Sequence, residues 1–63
     1  MQFVKFTPEG YTEKSLYVRK DQVSAVRADK DNYGYTYIWL MNGTWFKVRA
    51  TLTEVLDELG IKP

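Results

Sequence analysis

The chain has 63 residues, with nine Lys and Arg against eight Asp and Glu, a formal net charge of +1, and neither cysteine nor histidine. This length predicts a single domain over residues 1–63, and the missing residue types exclude disulfides, thiol nucleophiles and imidazole bases and argue against structural zinc. The small net charge gives no argument for nucleic acid, and no stretch of about 18 apolar residues is present to cross a membrane.

The first half of the chain predicts three strands separated by polar turns. Apolar and polar residues alternate over residues 2–6 and again over residues 15–19, which is typical of half-buried strands. A Thr-Pro-Glu-Gly segment at residues 7–10 predicts a break after the first strand. Residues 20–22 predict a tight turn or a single helical turn. Residues 23–28, with valines three apart, predict a turn that relaxes into a strand.

Residues 35–49 predict a β-hairpin centred on Asn42 and Gly43. An Asn-Gly pair between alternating runs is the strongest short-range hairpin signal, because both residues tolerate the positive φ of a type I′ turn. The alternation gives the hairpin one ordinary apolar face and a second face that is unusually aromatic. The apolar face carries Ile38, Leu40, Phe46 and Val48, and the other face carries Tyr35, Tyr37, Trp39, Trp45, Lys47 and Arg49.

After the hairpin the apolar spacing changes to that of a helix over residues 52–59. Thr51 is a good N-cap, Glu54 completes a capping box, and Gly60 supplies the residue that ends the helix. So short a helix is unstable alone, so its apolar stripe must dock onto the sheet. The stripe consists of Leu52, Val55, Leu56 and Leu59.

These elements predict an α+β domain with the order β-β-β-β-β-α. The strands form either a five-stranded antiparallel meander or a half-open SH3-like barrel with one C-terminal helix, and the sequence does not separate the two. The helix covers one face, because an antiparallel sheet can bury one face and leave the other in water. Leu40→Ala or Phe46→Ala is expected to cost about 2–5 kcal/mol. The residues expected on the covered face are Val4, Phe6, Leu16, Val18, Val26, Ile38, Leu40, Phe46 and Val48.

Residue types suited to catalysis are sparse. Asp29 and Asp31 lie together on a polar turn, but acids are common in turns and a cation loop needs more oxygen ligands at set spacing. The four glycines are scattered, so no glycine-rich phosphate loop is present. The sequence therefore predicts a protein that is not an enzyme, with no cofactor, no metal and no small-molecule substrate. The absence of cysteine and of an N-terminal signal peptide favours the cytoplasm.

The aromatic outer face is the candidate site, and three interpretations compete for it. It is an interface between copies of the chain or with another protein, because Trp, Tyr and Arg are enriched at interface hot spots. It binds single-stranded nucleic acid, because aromatic rings stack on bases and cations meet phosphates. It stabilises an exposed sheet through cross-strand aromatic pairs without any partner. The residues assigned to it are Tyr17, Tyr35, Tyr37, Trp39, Trp45, Lys47 and Arg49.

The small number of cations favours the protein interface, since phosphate contacts dominate affinity for nucleic acid. The sequence therefore predicts a non-enzymatic interaction or regulatory module that forms a homo-oligomer, with single-stranded nucleic-acid binding as the alternative. Trp39 and Trp45 are the expected anchors and Tyr35 and Tyr37 the flanking contacts. Lys47 and Arg49 are expected to form a charged rim.

Five parts of the chain form a recognisable order of strand, polar turn, strand, Asn-Gly turn and helix: Leu16-Tyr17-Val18, Asp21-Gln22-Val23-Ser24-Ala25-Val26, Ile38-Trp39-Leu40-Met41-Asn42-Gly43, Val48 and Thr53-Glu54-Val55-Leu56. With these segments, residues 16–59 resemble the small flagellar FlbD-like proteins. The chain differs from that family at Arg19 or Lys20, where Asn is usual, and at Arg49, where an acid precedes the helix. The resemblance implies a non-enzymatic regulator of bacterial or phage type that acts through protein contacts, and it implies no flagellar role.

Overall fold

A computed structural model describes residues 2–10 and 15–61 of the chain. It contains five antiparallel strands in two sheets followed by one C-terminal helix, which confirms the predicted α+β class. The elements in chain order are β1 (Phe3–Phe6), β2 (Leu16–Arg19), a single turn of 3₁₀ helix (Lys20–Gln22), β3 (Val23–Ala28), β4 (Thr36–Leu40), β5 (Trp45–Val48) and α1 (Leu52–Leu59).

The strands divide between a two-stranded sheet, β1-β2, and a three-stranded sheet, β3-β4-β5. The 3₁₀ turn at Lys20–Gln22 separates the two sheets along the chain, in the place where the sequence predicted a tight or helical turn. In β3 the register shifts between Val23 and Ala25, so Ser24 forms a bulge where the sequence predicted an irregular start. A single five-stranded meander is not confirmed, because β2 and β3 belong to different sheets.

The segment after β1 links the two sheets instead of only ending the strand. The Glu9 N–H donates to the Lys47 carbonyl at 2.8 Å, and the Arg49 N–H donates to the Thr7 carbonyl at 2.7 Å. Pro8 lies between these bonding residues and forms a bridge with Val48. Its missing N–H therefore removes no bond from this pairing. The predicted break at residues 7–10 is the place where the chain passes from one sheet to the other.

The core lies where the predicted alternation placed it. Phe3 and Lys5 are exposed while Val4 and Phe6 are buried, so β1 has the expected faces. Leu40 and Phe46 are only partly buried and pack at the margin of the core. The centre is formed by residues from both sheets and the helix: Val4, Phe6, Val18, Ile38, Val48, Val55 and Leu59.

The turn of the hairpin is not the expected type I′ turn. Among the described residues only glycines have positive φ, so Asn42 does not adopt the conformation that this turn requires. The Gly43 N–H donates to the Leu40 carbonyl at 3.0 Å, and the Leu40 N–H donates to the Thr44 carbonyl at 2.8 Å. With Gly43 at φ 89°, the loop has three residues and ends in a G1 bulge.

The helix begins and ends as predicted. The Thr51 hydroxyl accepts from the Glu54 N–H at 3.2 Å, and the Glu54 carboxylate accepts from the Thr51 N–H at 2.9 Å. At the other end Gly60 has φ 74°. Its N–H donates to the Asp57 carbonyl, and the following N–H, from Ile61, donates to the Leu56 carbonyl at 2.9 Å. Both ends of α1 are therefore closed by local hydrogen bonds.

Removing the N-cap should destabilise the protein measurably. Thr51→Ala leaves the Glu54 N–H without its acceptor, and loss of a Thr cap costs about 1 kcal/mol. The matched control is Thr53→Ala, because Thr53 is exposed inside α1 and Ala is the better helix former there. Urea unfolding at one protein concentration measures both variants. Equal stabilities for the two would contradict the role given to Thr51.

Candidate functional site

The aromatic side chains of the hairpin share one face because β4 and β5 pair in a single register. Trp39 lies opposite Trp45, and Tyr37 lies opposite Lys47. The Leu40–Thr44 hydrogen bond makes Trp39 and Trp45 a non-hydrogen-bonded pair, in which side chains are closest. We call this surface the aromatic face, comprising Tyr35, Tyr37, Trp39, Trp45, Lys47 and Arg49.

Three rings of the aromatic face contact one another. The Tyr37 and Trp39 centroids are 5.8 Å apart with planes tilted by 35°, and those of Tyr37 and Trp45 are 5.7 Å apart in an edge-to-face arrangement. Such pairs contribute about 0.5–1.5 kcal/mol each beyond their area burial. Tyr37 therefore packs against both predicted anchors, Trp39 and Trp45, within a single chain.

The aromatic face is ordered but not covered. Trp45 remains 56% exposed despite its contact with Tyr37, and Met41 at the hairpin tip is 63% exposed. Tyr35, Tyr37 and Trp39 are partly buried. The cluster therefore leaves one large aromatic ring mostly in water, and Trp is among the residue types enriched at interface hot spots.

Lys47 does not form the charged rim that the sequence predicted. Its Nζ lies 3.0 Å from a carboxylate oxygen of Glu9 and 3.0 Å from one of Asp29, and its side chain is 22% exposed. The same ammonium lies 5.2 Å from the Tyr35 ring centroid and 5.6 Å from that of Tyr37. Lys47 therefore connects the segment after β1, the β3–β4 turn and the aromatic rings. Its positive charge is compensated by the two carboxylates.

Asp29 is a structural acid that the sequence presented only as a turn residue. Its carboxylate accepts from the Asp31 N–H at 3.0 Å, and the residue is buried. This hydrogen bond and then the Lys47 ammonium hold the pKa of Asp29 below its ordinary value. In return, hydrogen bonds to Asp29 and then Glu9 raise the pKa of Lys47. Nothing in the local sequence marks this pair, because its members lie on different elements.

Arg27 belongs with the aromatic face although the sequence did not assign it there. Its guanidinium carbon lies 5.6 Å from the centre of the Trp39 ring, and the residue pairs with Tyr37 across β3 and β4. Alternation of side chains within β3 could have placed Arg27 on this face. The irregular spacing at the start of β3 concealed the register of β3 against β4. Arg49 is exposed as expected, and its N–H is engaged with Thr7.

Tyr17 stands apart from the other predicted site residues. It lies on β2 opposite Lys5, in the other sheet, and is 62% exposed. Within residues 2–10 and 15–61, the two ring–ring pairs are those of Tyr37, and neither includes Tyr17. The structure therefore brings together the hairpin residues but not Tyr17.

A pocket of about 260 Å³ opens beside the aromatic face at the end of β3. The pocket is lined by Arg27, Ala28, Asp29, Lys30, Asp31 and Tyr37.

Across the described ranges, no cluster of three or more His, Cys, Asp or Glu side chains has the arrangement of a metal site. No helix in that part of the chain has the length and apolar character to cross a membrane.

The carboxylates with lowered pKa values predict a loss of stability in acid. The pKa of Glu54 is also lowered, chiefly by the Thr51 N–H. At about pH 4 the unfolded state therefore binds more protons than the folded state, so stability is full above that range and falls as pH drops through the lowered values. The pKa of Lys47 is raised, so its contribution is present below its ordinary value and is lost only at higher, strongly alkaline pH.

Urea unfolding of the wild type and Asp29→Asn across the acid range measures this dependence. We expect the variant to be less stable at neutral pH and to show a shallower acid slope, because the amide that replaces the carboxylate has no proton to take up. An unchanged slope in Asp29→Asn would contradict the assignment of this acid sensitivity to Asp29.

Comparison with known proteins finds no matching family model, curated protein or solved structure. The resemblance to FlbD-like proteins over residues 16–59 therefore stays a prediction. The case for function depends on the geometry of the aromatic face.

Proposed function

We propose that the protein is a non-enzymatic interaction module that forms homo-oligomers through its aromatic face. One observation carries this proposal: Trp45 is held edge-to-face against Tyr37 and is still 56% exposed. A tryptophan already packed against a neighbouring ring loses less conformational freedom on binding than one with no such contact, so its burial contributes favourably to association. Burial between subunits would also add apolar contact to a domain whose own core is small.

The charges beside the rings favour a protein partner over nucleic acid. Lys47 is paired with Glu9 and Asp29, so it has no free charge to offer a phosphate. Arg27 and Arg49 remain exposed cations on the aromatic face. Two cations are few for a nucleic-acid surface, because affinity there grows with the number of phosphates neutralised.

The proposal extends to the architecture and setting of the module. We propose that the two sheets close into a half-open barrel, which the hydrogen bonds of Thr7 and Glu9 to β5 and the 3₁₀ turn between β2 and β3 support. A regulatory role in the cytoplasm fits a chain without cysteine.

Light scattering on the purified chain over a range of concentrations tests the proposal. We expect a mass above that of the 7.4 kDa monomer, rising with concentration to a plateau. A second arm adds a single-stranded oligonucleotide at low salt and follows tryptophan fluorescence. A monomeric mass throughout would refute the homo-oligomer, and saturable quenching by the oligonucleotide would favour the nucleic-acid alternative.

A further inference from the structure

The outer edge of β3 is unpaired in the described part of the chain. β3 is the last strand of its sheet, and the Asp29 N–H donates to the Tyr35 carbonyl at 3.0 Å. Because backbone groups alternate in direction, Ala25 and Arg27 face β4, while the N–H and C=O groups of Val26 and Ala28 point away from it. No described backbone group bonds to them. Such an edge is a template for another strand.

The pocket lies at the end of this edge. Some of its charged side chains already have a partner within the chain, and others do not. The Asp29 carboxylate is engaged by Lys47 and by the Asp31 N–H. Arg27 and Lys30 are exposed and form no ion pair with another described residue. The pocket lining therefore carries two cations, Arg27 and Lys30, and one carboxylate, Asp31, that form no ion pair with a described residue. An incoming strand with an acidic side chain would complement them.

We propose that the β3 edge and this pocket bind an extended acidic segment of a partner protein, which adds to the sheet as an antiparallel strand. Its backbone bonds to Val26 and Ala28. The position opposite Arg27 is then a non-hydrogen-bonded pair, where side chains approach most closely, and an Asp or Glu there meets the guanidinium. Main-chain pairing gives the affinity and the pocket gives the selectivity, as in other cases of strand addition.

A second copy of the chain fits this edge less well than an acidic segment does. In an antiparallel pairing of two β3 strands through Val26, the two Arg27 side chains lie directly opposite or diagonal to each other. Like charges at these positions are destabilising. The backbone groups of Val26 and Ala28 lie in the plane of the sheet, whereas Arg27 and Tyr37 of the pocket also belong to or adjoin the aromatic face.

An NMR titration of the intact chain tests the site with two synthetic probes. The first is acetylated and amidated Thr-Val-Glu-Val-Thr, and the second has Lys in place of the central Glu. We expect the acidic peptide to bind saturably and to slow amide hydrogen exchange at Val26 and Ala28. The basic peptide should bind roughly two- to fivefold more weakly, which is the range of one cross-strand charge pair.

Two variants sharpen the test. Arg27→Glu should reverse the preference between the peptides, and Ala28→Pro should abolish binding while keeping the fold, because that N–H bonds to no neighbour in the described structure. The dispersion of the amide spectrum checks folding in each variant. The proposal is overturned by equal binding of both peptides, by no slowing at Val26 and Ala28, or by protection of those amides through self-association without peptide.

Discussion

Ile38→Ala should bring the domain close to its unfolding threshold. Ile38 is fully buried at the centre of the three-stranded sheet, where it pairs with Val26 on one side and Phe46 on the other. Replacement of a buried Ile by Ala costs about 2–5 kcal/mol through lost burial and the cavity that remains. A core in a chain this short supplies only about 3–5 kcal/mol, so most of the stability should be lost.

Leu40→Ala on the same strand is the matched control for this prediction. Leu40 is only partly buried, so its truncation leaves a smaller cavity and should cost less than that of Ile38. The sequence predicted a cost of about 2–5 kcal/mol for Leu40→Ala or Phe46→Ala. The complete burial of Ile38 now gives its truncation the larger expected cost. Urea unfolding at a single protein concentration measures the order, which matters because association changes apparent stability. A larger loss in Leu40→Ala would contradict the described core.

Trp45→Glu should dissociate the proposed homo-oligomer without unfolding the chain. The ring is 56% exposed in the monomer, so a carboxylate there meets water until two copies approach. Burial of an unpaired charge in place of an aromatic anchor is unfavourable, and loss of a hot spot of about 2 kcal/mol weakens association about 30-fold. Sedimentation should show the monomer at concentrations where the wild type is assembled.

Phe3→Glu is the matched control for Trp45→Glu. Phe3 is 57% exposed and lies on β1, in the other sheet, so the substitution adds the same charge at nearly the same exposure away from the aromatic face. It should leave the assembled mass unchanged. Dissociation by both variants would mean that added negative charge, rather than the aromatic face, controls association. Circular dichroism of each variant checks that the fold is kept.

Features that depend on neighbouring residues were predictable from the sequence. The capping box of Thr51 and Glu54 and the left-handed Gly60 follow from local geometry, and the structure confirms them. The inward and outward alternation of the hairpin strands is also confirmed by the burial of Ile38 and Val48. These features need no knowledge of the rest of the fold.

The predicted type I′ turn of the hairpin was wrong, although the sequence contained the information to correct this prediction. A two-residue turn at Asn42 and Gly43 would place Leu40 opposite Trp45, on the same face. The predicted faces instead required Trp39 opposite Trp45, which is the observed register and needs a three-residue loop. The preference of Asn-Gly for type I′ turns outweighed this constraint.

Contacts between distant parts of the chain could not be predicted from the sequence. The ion pairs of Lys47 with Glu9 and Asp29 join β5 to two loops, and no spacing in the sequence identifies these residues as partners. The division into two sheets likewise depends on where residues 7–9 pair, and that pairing uses β5 rather than a strand nearby in sequence. Arg27 joined the aromatic face only because the bulge at Ser24 sets its register.

We propose that the aromatic face of one copy contacts the aromatic face of another. An isotope-filtered NOE experiment on a mixture of labelled and unlabelled chains tests this most directly, because it detects only contacts between copies. We predict intermolecular NOEs from the indole protons of Trp39 and Trp45, with Tyr37 beside them. An assembled sample whose intermolecular NOEs lie elsewhere, such as on Phe3 and Tyr17 of the other sheet, would contradict the claim.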